Sequence, residues 1–112
     1  MSLNKLVLLV SLLIGSIASA SAAPVCPERP GNSLRTLTVF DGAPEEMASL
    51  VPDKGGEKTG YWQLGYVYEA GRVVTIRCKY ADDQSSDVVL SKKVSRCDYK
   101  YDAKKTLKLN CK

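Results

Sequence analysis

The chain contains no histidine, and this absence removes more chemistry than any other feature of its composition. Histidine is the commonest general base in enzymes and the commonest protein ligand of metal ions. The sequence also lacks a Gly-rich phosphate-binding loop and a nucleophile elbow. Its adjacent carboxylates, Glu45-Glu46 and Asp82-Asp83, lie in turn-like stretches, whereas paired catalytic carboxylates usually converge from different segments. We therefore expect no enzyme activity, no cofactor and no metal site.

Long apolar runs are scarce. The only extended one, from Leu6 to Ile14, is shorter than the roughly 20 residues that a transmembrane helix needs. It follows a single positive charge at Lys5 and precedes a series of small residues that ends near Ala22. This three-part layout is typical of a secretory signal peptide. We predict a signal peptide over residues 1–22 and one exported domain over residues 23–112, located in the periplasm or secreted, with no transmembrane segment.

The number and spacing of the cysteines are informative. The sequence has four cysteines, Cys26, Cys78, Cys97 and Cys111, and no two of them have the C-x2-C or C-x4-C spacing of a zinc site. An even number in a short exported chain predicts two disulfides, for which three connectivities are possible. A hairpin turn centred on Lys104 would place Cys97 opposite Cys111. This favours that pair and leaves Cys26 to bond with Cys78.

The mature chain is instead rich in stretches where apolar and polar residues alternate, which is the period of a β-strand. Residues 34–40 form one such stretch. A hairpin is predicted to run from residue 94 to residue 111 with its turn at residues 102–105. Residues 43–53 are predicted to form a short helix or turn with Met47, Leu50 and Val51 facing inward.

Residues 61–80 are predicted to form another hairpin. Its first strand would place on one buried face the residues Trp62, Leu64, Tyr66 and Tyr68. Its return strand would place on one face the residues Val74, Ile76, Cys78 and Tyr80. The predicted fold class is mainly β: a small single-domain antiparallel sheet or sandwich of about six strands, with at most one short helix and two disulfides.

Charge is unevenly distributed along the chain. Residues 88–112 contain eight basic and two acidic residues, a net charge of +6, whereas residues 41–57 contain five acidic residues and one lysine, a net charge of −4. Exported proteins rarely meet nucleic acid, and a nucleic-acid-binding protein usually has a stronger overall bias, so we expect no nucleic-acid partner. A basic face in an exported protein suits an acidic protein surface, anionic lipid or a cell-wall polymer. A solvated outer face is the simplest reading of any single lysine.

The candidate binding residues follow from this charge and from strand parity. In residues 106–112, leucines and Cys111 point one way and lysines the other, so the lysines are expected on the water-exposed face. We predict binding residues at Lys100, Lys104, Lys105 and Lys108, together with Tyr61, which alternation places opposite the buried Trp62. Tyrosine is one of the residues that dominate protein interfaces.

Several short motifs resemble a known family. They are FDG at residues 40–42, LVPD at 50–53, W-x-L at 62–64, C-x-Y at 78–80 and the two later cysteines. In this order they resemble a family of small exported proteins of Gram-negative bacteria that is named for an enterobacterial open reading frame. The resemblance implies a periplasmic or secreted β-rich domain and implies no particular activity.

Three functions are compatible with these features. The first is an exported protein-binding module, such as a periplasmic inhibitor or immunity protein against a cell-wall-degrading enzyme. The second is an envelope-associated structural protein that contacts anionic lipid or polymer through its basic C-terminal hairpin. The third is a hydrolase with unrecognised catalytic groups. The lack of catalytic residue types favours the first, with a protein partner whose surface is acidic.

Overall fold

A computed structural model describes residues 24–112, so the predicted signal peptide lies outside the described residues. In chain order the elements are β1 (Leu34–Asp41), a 3-10 helix (Pro44–Glu46), β2 (Ser49–Leu50), β3 (Thr59–Gln63), α1 (Gly65–Glu69), β4 (Val74–Tyr80), β5 (Ser85–Leu90), β6 (Arg96–Tyr101) and β7 (Leu107–Cys111). The predicted fold class is confirmed, with seven strands in the described part of the chain instead of about six.

The larger sheet has four antiparallel strands in the order β2-β1-β4-β5. Strand β1 lies between β2 and β4, so that Val39 pairs with Leu50 on one side and with Ile76 on the other. Val39 and Ile76 are fully buried.

The smaller sheet has three antiparallel strands in the order β3-β6-β7, so β6 is its central strand. Trp62, Cys97 and Cys111 form one row across the sheet and face the core. Because successive side chains of a strand point to opposite faces, the neighbouring row turns outward. The predicted C-terminal hairpin is confirmed, and its register places Lys104 at the centre of the turn.

The two sheets share one hydrophobic core, and polar side-chain groups tie one sheet to the other. The indole Nε1 of Trp62 donates a hydrogen bond to the Leu50 carbonyl at 3.1 Å, and the Tyr101 hydroxyl donates to the Arg35 carbonyl at 3.0 Å. These bonds satisfy polar atoms that the packing would otherwise leave unpaired. Trp62 is only 6% exposed, which confirms its prediction as a core residue.

Both predicted disulfide pairs are confirmed. Cys97 and Cys111 join the neighbouring strands β6 and β7, with 4.0 Å between their Cα atoms. Cys26 is bonded to Cys78 on β4, which fixes residues 24–33 against the larger sheet. The Tyr80 hydroxyl adds a hydrogen bond of 2.6 Å to the Pro27 carbonyl. The N-terminal segment is therefore held in place although it belongs to neither sheet.

The predicted hairpin at residues 61–80 is wrong. Strand β3 pairs with β6, and residues Gly65–Glu69 form a short helix before β4 joins the other sheet. The physical reason is a competing pattern: Leu64, Val67 and Tyr68 are all buried and have the i, i+3, i+4 spacing of a helix face. Gly71, at φ 79°, ends this helix in the left-handed conformation that glycine adopts readily.

Three side chains predicted to face inward are exposed, and each correction has a local cause. Tyr66 is 53% exposed because it lies on the outer side of α1. Met47 and Val51 are 83% and 84% exposed. The helix in this segment is only three residues long, and the chain then extends into β2, where alternation turns Leu50 inward and its neighbours outward.

Candidate functional site: the outer face of the three-stranded sheet

The outer face of the smaller sheet is predominantly basic. We call this surface the basic face; going across the strands, its rows are Thr59, Lys100 and Lys108, then Tyr61, Asp98 and Asn110, then Gln63, Arg96 and Lys112. It carries four basic side chains and one acidic side chain. The fold therefore brings onto one surface four of the eight basic residues that the sequence distributes along its last 25 residues.

Lys100 and Lys108 lie directly opposite each other on β6 and β7, and both are exposed. Like charges at directly opposite positions of neighbouring strands destabilise a sheet. The ion pairs of residues 24–112 include neither of these two lysines. Their positive charges are thus available to a partner.

Tyr61 lies at the centre of the β3 side of the basic face. The guanidinium carbon of Arg96 lies 3.7 Å from the centroid of the Tyr61 ring, within the range of a cation–π contact. Arg96 also bonds Asp98, with 2.9 Å from its Nη2 to the carboxylate Oδ1, and this hydrogen bond raises the pKa of Arg96. Arg96 therefore neutralises Asp98, the one carboxylate of the basic face, and holds the Tyr61 ring in place.

The turn between β6 and β7 presents two more lysines, Lys104 and Lys105, beyond the end of the basic face. The Asp102 carboxylate accepts hydrogen bonds from the amides of Lys104 at 2.8 Å and Thr106 at 2.9 Å. These hydrogen bonds lower the pKa of Asp102, and the bond from the Thr106 amide has the largest effect. The positive charges of Lys104 and Lys108 lower it as well. Lys105 has a φ of 63°, a left-handed conformation that is unusual for a residue other than glycine.

The structure therefore brings three of the five predicted binding residues onto one surface. Tyr61, Lys100 and Lys108 share the basic face, whereas Lys104 and Lys105 lie at its end on the hairpin turn. Sequence reasoning missed Arg96 as a member of this surface. The alternation that placed Lys100 outward also places Arg96 outward, four residues earlier on the same strand, so the signal was available.

The acidic segment of residues 41–57 is partly neutralised by one arginine. Arg72 bonds the Asp41 carboxylate at 2.6 Å and the Glu46 carboxylate at 2.7 Å. The hydrogen bond from Arg72 is the main cause of the lowered pKa of Glu46. This segment thus carries less uncompensated charge than its composition indicates.

The motifs quoted from the sequence build the fold and contribute little to the basic face. Asp41 of FDG binds Arg72, and Asp53 of LVPD accepts a hydrogen bond from the Gln63 amide at 2.6 Å. The tryptophan of W-x-L is core, and the cysteine of C-x-Y is in a disulfide. Their recurrence in related chains would therefore report a shared fold.

Within residues 24–112, the structure contains no group of three or more side chains arranged to hold a metal ion. In the same residues, no helix has both the length and the apolar character needed to cross a membrane.

Comparison with protein families gives one match. The model of the type VI secretion system Tli immunity protein family matches residues 27–112. The chain belongs to this family. It is therefore an immunity protein, whose role is to bind and block a toxic effector. Comparisons with curated proteins and with solved structures found no match.

The family assignment confirms the leading functional hypothesis, an immunity or inhibitor protein with a protein partner. It also confirms the broader part of the resemblance, membership of a small bacterial family. The family named for an open reading frame, and the set of motifs that pointed to it, are not confirmed by this match.

Proposed function

We propose that this immunity protein neutralises its effector in the periplasm by binding an acidic surface of it through the basic face, without catalysis. Lys100 and Lys108 would pair with carboxylates of the effector. Tyr61, held by Arg96, would supply aromatic contact area at the same interface. We further propose that the effector is an enzyme that degrades the cell wall.

The observation that carries this proposal is the pairing of Lys100 directly opposite Lys108. Lysine on an edge strand discourages aggregation, which explains Lys108 on β7. That explanation does not extend to Lys100, because β6 is the central strand of its sheet. A like-charge pair that weakens the isolated fold, and that an acidic partner would relieve, supports a role in binding.

The proposed location rests on two features. Two disulfides fit an oxidising compartment such as the periplasm, and the predicted signal peptide provides a route to it. The lack of histidine and the engagement of Asp98 by Arg96 support inhibition by binding alone.

The test begins by identifying the effector as the type VI toxin whose growth inhibition the protein prevents when both are directed to the periplasm. Association is then measured with the purified effector for wild type and for Lys108→Glu. This substitution replaces a repulsive cross-strand pair by an attractive one, so stability should stay unchanged or rise by about 0.2–1 kcal/mol. The association rate should fall roughly tenfold at low salt, and the difference should shrink as salt is added.

Lys93→Glu is the matched control because it makes the same charge change in the exposed connection between β5 and β6. The double variant Lys104→Glu/Lys105→Glu tests the hairpin turn separately. Association rates equal to wild type for the variants at Lys108 and at the turn would contradict the proposal. The lysines would then be interpreted as a solvated outer face with no role in binding. Loss of binding to anionic vesicles with intact effector binding would instead support the envelope-associated alternative for this surface.

A further inference from the structure

Within residues 24–112, one edge of strand β7 pairs with no other strand. At one end of the β6–β7 hairpin, the Lys112 carbonyl accepts from the Arg96 amide at 3.2 Å and the Arg96 carbonyl accepts from the Lys112 amide at 2.9 Å. At the other end, the Thr106 carbonyl accepts from the Asp102 amide at 3.0 Å. In an antiparallel pair the direction of the backbone groups alternates, so Lys108 and Asn110 bond to β6 while Leu107 and Leu109 point their backbone groups away from it. The backbone hydrogen bonds found among residues 24–112 give Leu107 and Leu109 no other partner.

A groove runs along this edge. It has a volume of about 670 Å³, with β7 residues 106–110 on one side and the N-terminal segment, residues 24–34, on the other. Its lining includes the apolar side chains of Val25, Leu34 and Leu109 and the charged side chains of Glu28, Arg29 and Lys108. The N-terminal segment approaches β7 without forming a ladder with it.

The walls of the groove are held rigidly. The disulfide from Cys26 and the hydrogen bond from Tyr80 fix one wall to the larger sheet. Arg29 adds an ion pair to Asp82 at 2.7 Å and lies 5.0 Å from the Tyr80 ring centroid. A binding groove whose walls are already in place loses less conformational entropy when a ligand enters it.

Two other edge strands, β3 and β5, do not offer the same surface. The outer side of β3 is covered by residues 53–54, since the Tyr61 carbonyl accepts from the Asp53 amide at 2.9 Å and the Lys54 carbonyl accepts from the Tyr61 amide at 2.9 Å. Strand β5 carries Asp87, which is occupied by Arg77, and no lysine. Among these edges, β7 alone combines a groove with unpaired positive charge.

We propose that β7 accepts an extended segment of the effector as an added strand of the three-stranded sheet; this proposal rests on the proposed function. The free backbone groups would bond to the backbone of the segment over about 17 Å, the length of five residues. Side chains that alternate along the segment would point in turn to the apolar groove and to the basic face. The recognised chemistry is therefore an alternation of apolar residues and carboxylates, with a carboxylate beside Lys108.

A second copy of this chain is a weaker candidate for the same edge. Pairing two β7 strands would bring together two C-terminal hairpins, each from a region with a net charge of +6. Such repulsion opposes self-association and favours an acidic segment.

The probe for this edge is an acidic peptide, three repeats of Glu-Val, titrated into the disulfide-bonded protein labelled with ¹⁵N. In the free protein the amide protons of Leu107 and Leu109 should exchange with water much faster than those of Lys108 and Asn110. Added peptide should slow the exchange of Leu107 and Leu109 by at least about tenfold. Lys108→Glu should weaken peptide binding roughly fivefold, whereas the control Lys79→Glu, an exposed strand lysine of the larger sheet, should not.

Two matched peptides separate backbone pairing from charge attraction. A peptide of Lys-Val repeats should not bind. N-methylation at alternate residues of the acidic peptide removes the backbone N–H donors along one edge of the peptide strand. When that edge faces β7, the peptide should bind at least about tenfold more weakly. Equal binding of the methylated and unmethylated acidic peptides would overturn the proposal. Protection of Leu107 and Leu109 that rises with protein concentration, without any peptide, would assign the edge to a second copy and overturn it as well.

The same exchange measurement in the complex with the effector separates this inference from the function on which it rests. A tight complex in which Leu107 and Leu109 still exchange rapidly would overturn strand addition and leave the proposed function intact. A protein that fails to bind any effector but protects these amides with the acidic peptide would overturn the proposed function and support the edge as a binding site.

Discussion

Replacing Trp62 gives the sharpest test of how the two sheets are held together. Its ring is 6% exposed and packs against Tyr99 with 5.4 Å between ring centroids, and its Nε1 bonds the Leu50 carbonyl of the other sheet. Trp62→Ala removes both contributions and should destabilise the domain by about 3–5 kcal/mol. A domain of this size is stable by roughly 4–13 kcal/mol, so this variant should be largely unfolded or close to it.

Trp62→Phe divides that loss into its parts. Phenylalanine keeps an aromatic ring but removes the indole hydrogen bond to the Leu50 carbonyl, and we expect a loss of about 1–2 kcal/mol. With a urea m-value near 1 kcal/mol per molar, the unfolding midpoint should fall by about 1–2 M. Because Trp62 is the only tryptophan, unfolding is followed by circular dichroism instead of tryptophan fluorescence.

Tyr66→Ala is the matched control, since Tyr66 is a large aromatic residue that is 53% exposed, and its loss should change stability by less than about 0.5 kcal/mol. An alanine variant of Trp62 that keeps the wild-type midpoint would refute the core assignment. A folded variant that has lost the effector would make Trp62 part of the binding surface.

Further substitutions test the second sheet and its hairpin. Gly60→Ala should destabilise the domain by more than about 1 kcal/mol in urea unfolding, because the added Cβ would collide with an aromatic ring and a backbone carbonyl. Lys105→Gly should raise stability by up to about 1 kcal/mol because glycine relieves the left-handed backbone, whereas Lys105→Ala should not. The pKa of Asp102 is lowered in the fold, so its carboxylate stabilises the hairpin above the ordinary aspartate pKa of about 4 and that contribution is lost as pH falls through the folded pKa. Wild type should therefore lose more stability on acidification from about pH 5 to pH 2 than Asp102→Asn. Removing the Cys97–Cys111 bond, which closes a sequence separation of 14, should lower stability by about 3 kcal/mol in the chain-entropy model.

The sequence by itself determined the features that depend on local pattern. The alternation in residues 106–112 is a property of consecutive residues, and it correctly placed Leu107 and Leu109 inside and Lys108 outside. The same local reasoning centred the last turn on Lys104, and from that centre the Cys97–Cys111 pair followed. Because the chain has four cysteines, this pair left Cys78 as the one possible partner of Cys26.

Tertiary structure alone decided which strands are neighbours. Tyr61 and Trp62 alternate as predicted, but their strand pairs with β6, more than 30 residues later, and not with the next strand. Short segments such as residues 64–69 fit both a strand and a helix pattern, and the choice between them depends on packing against distant residues. The pairing of β3 with β6 is also what brings Tyr61 beside Arg96 and Lys100, so the candidate binding surface could not be assembled from local pattern.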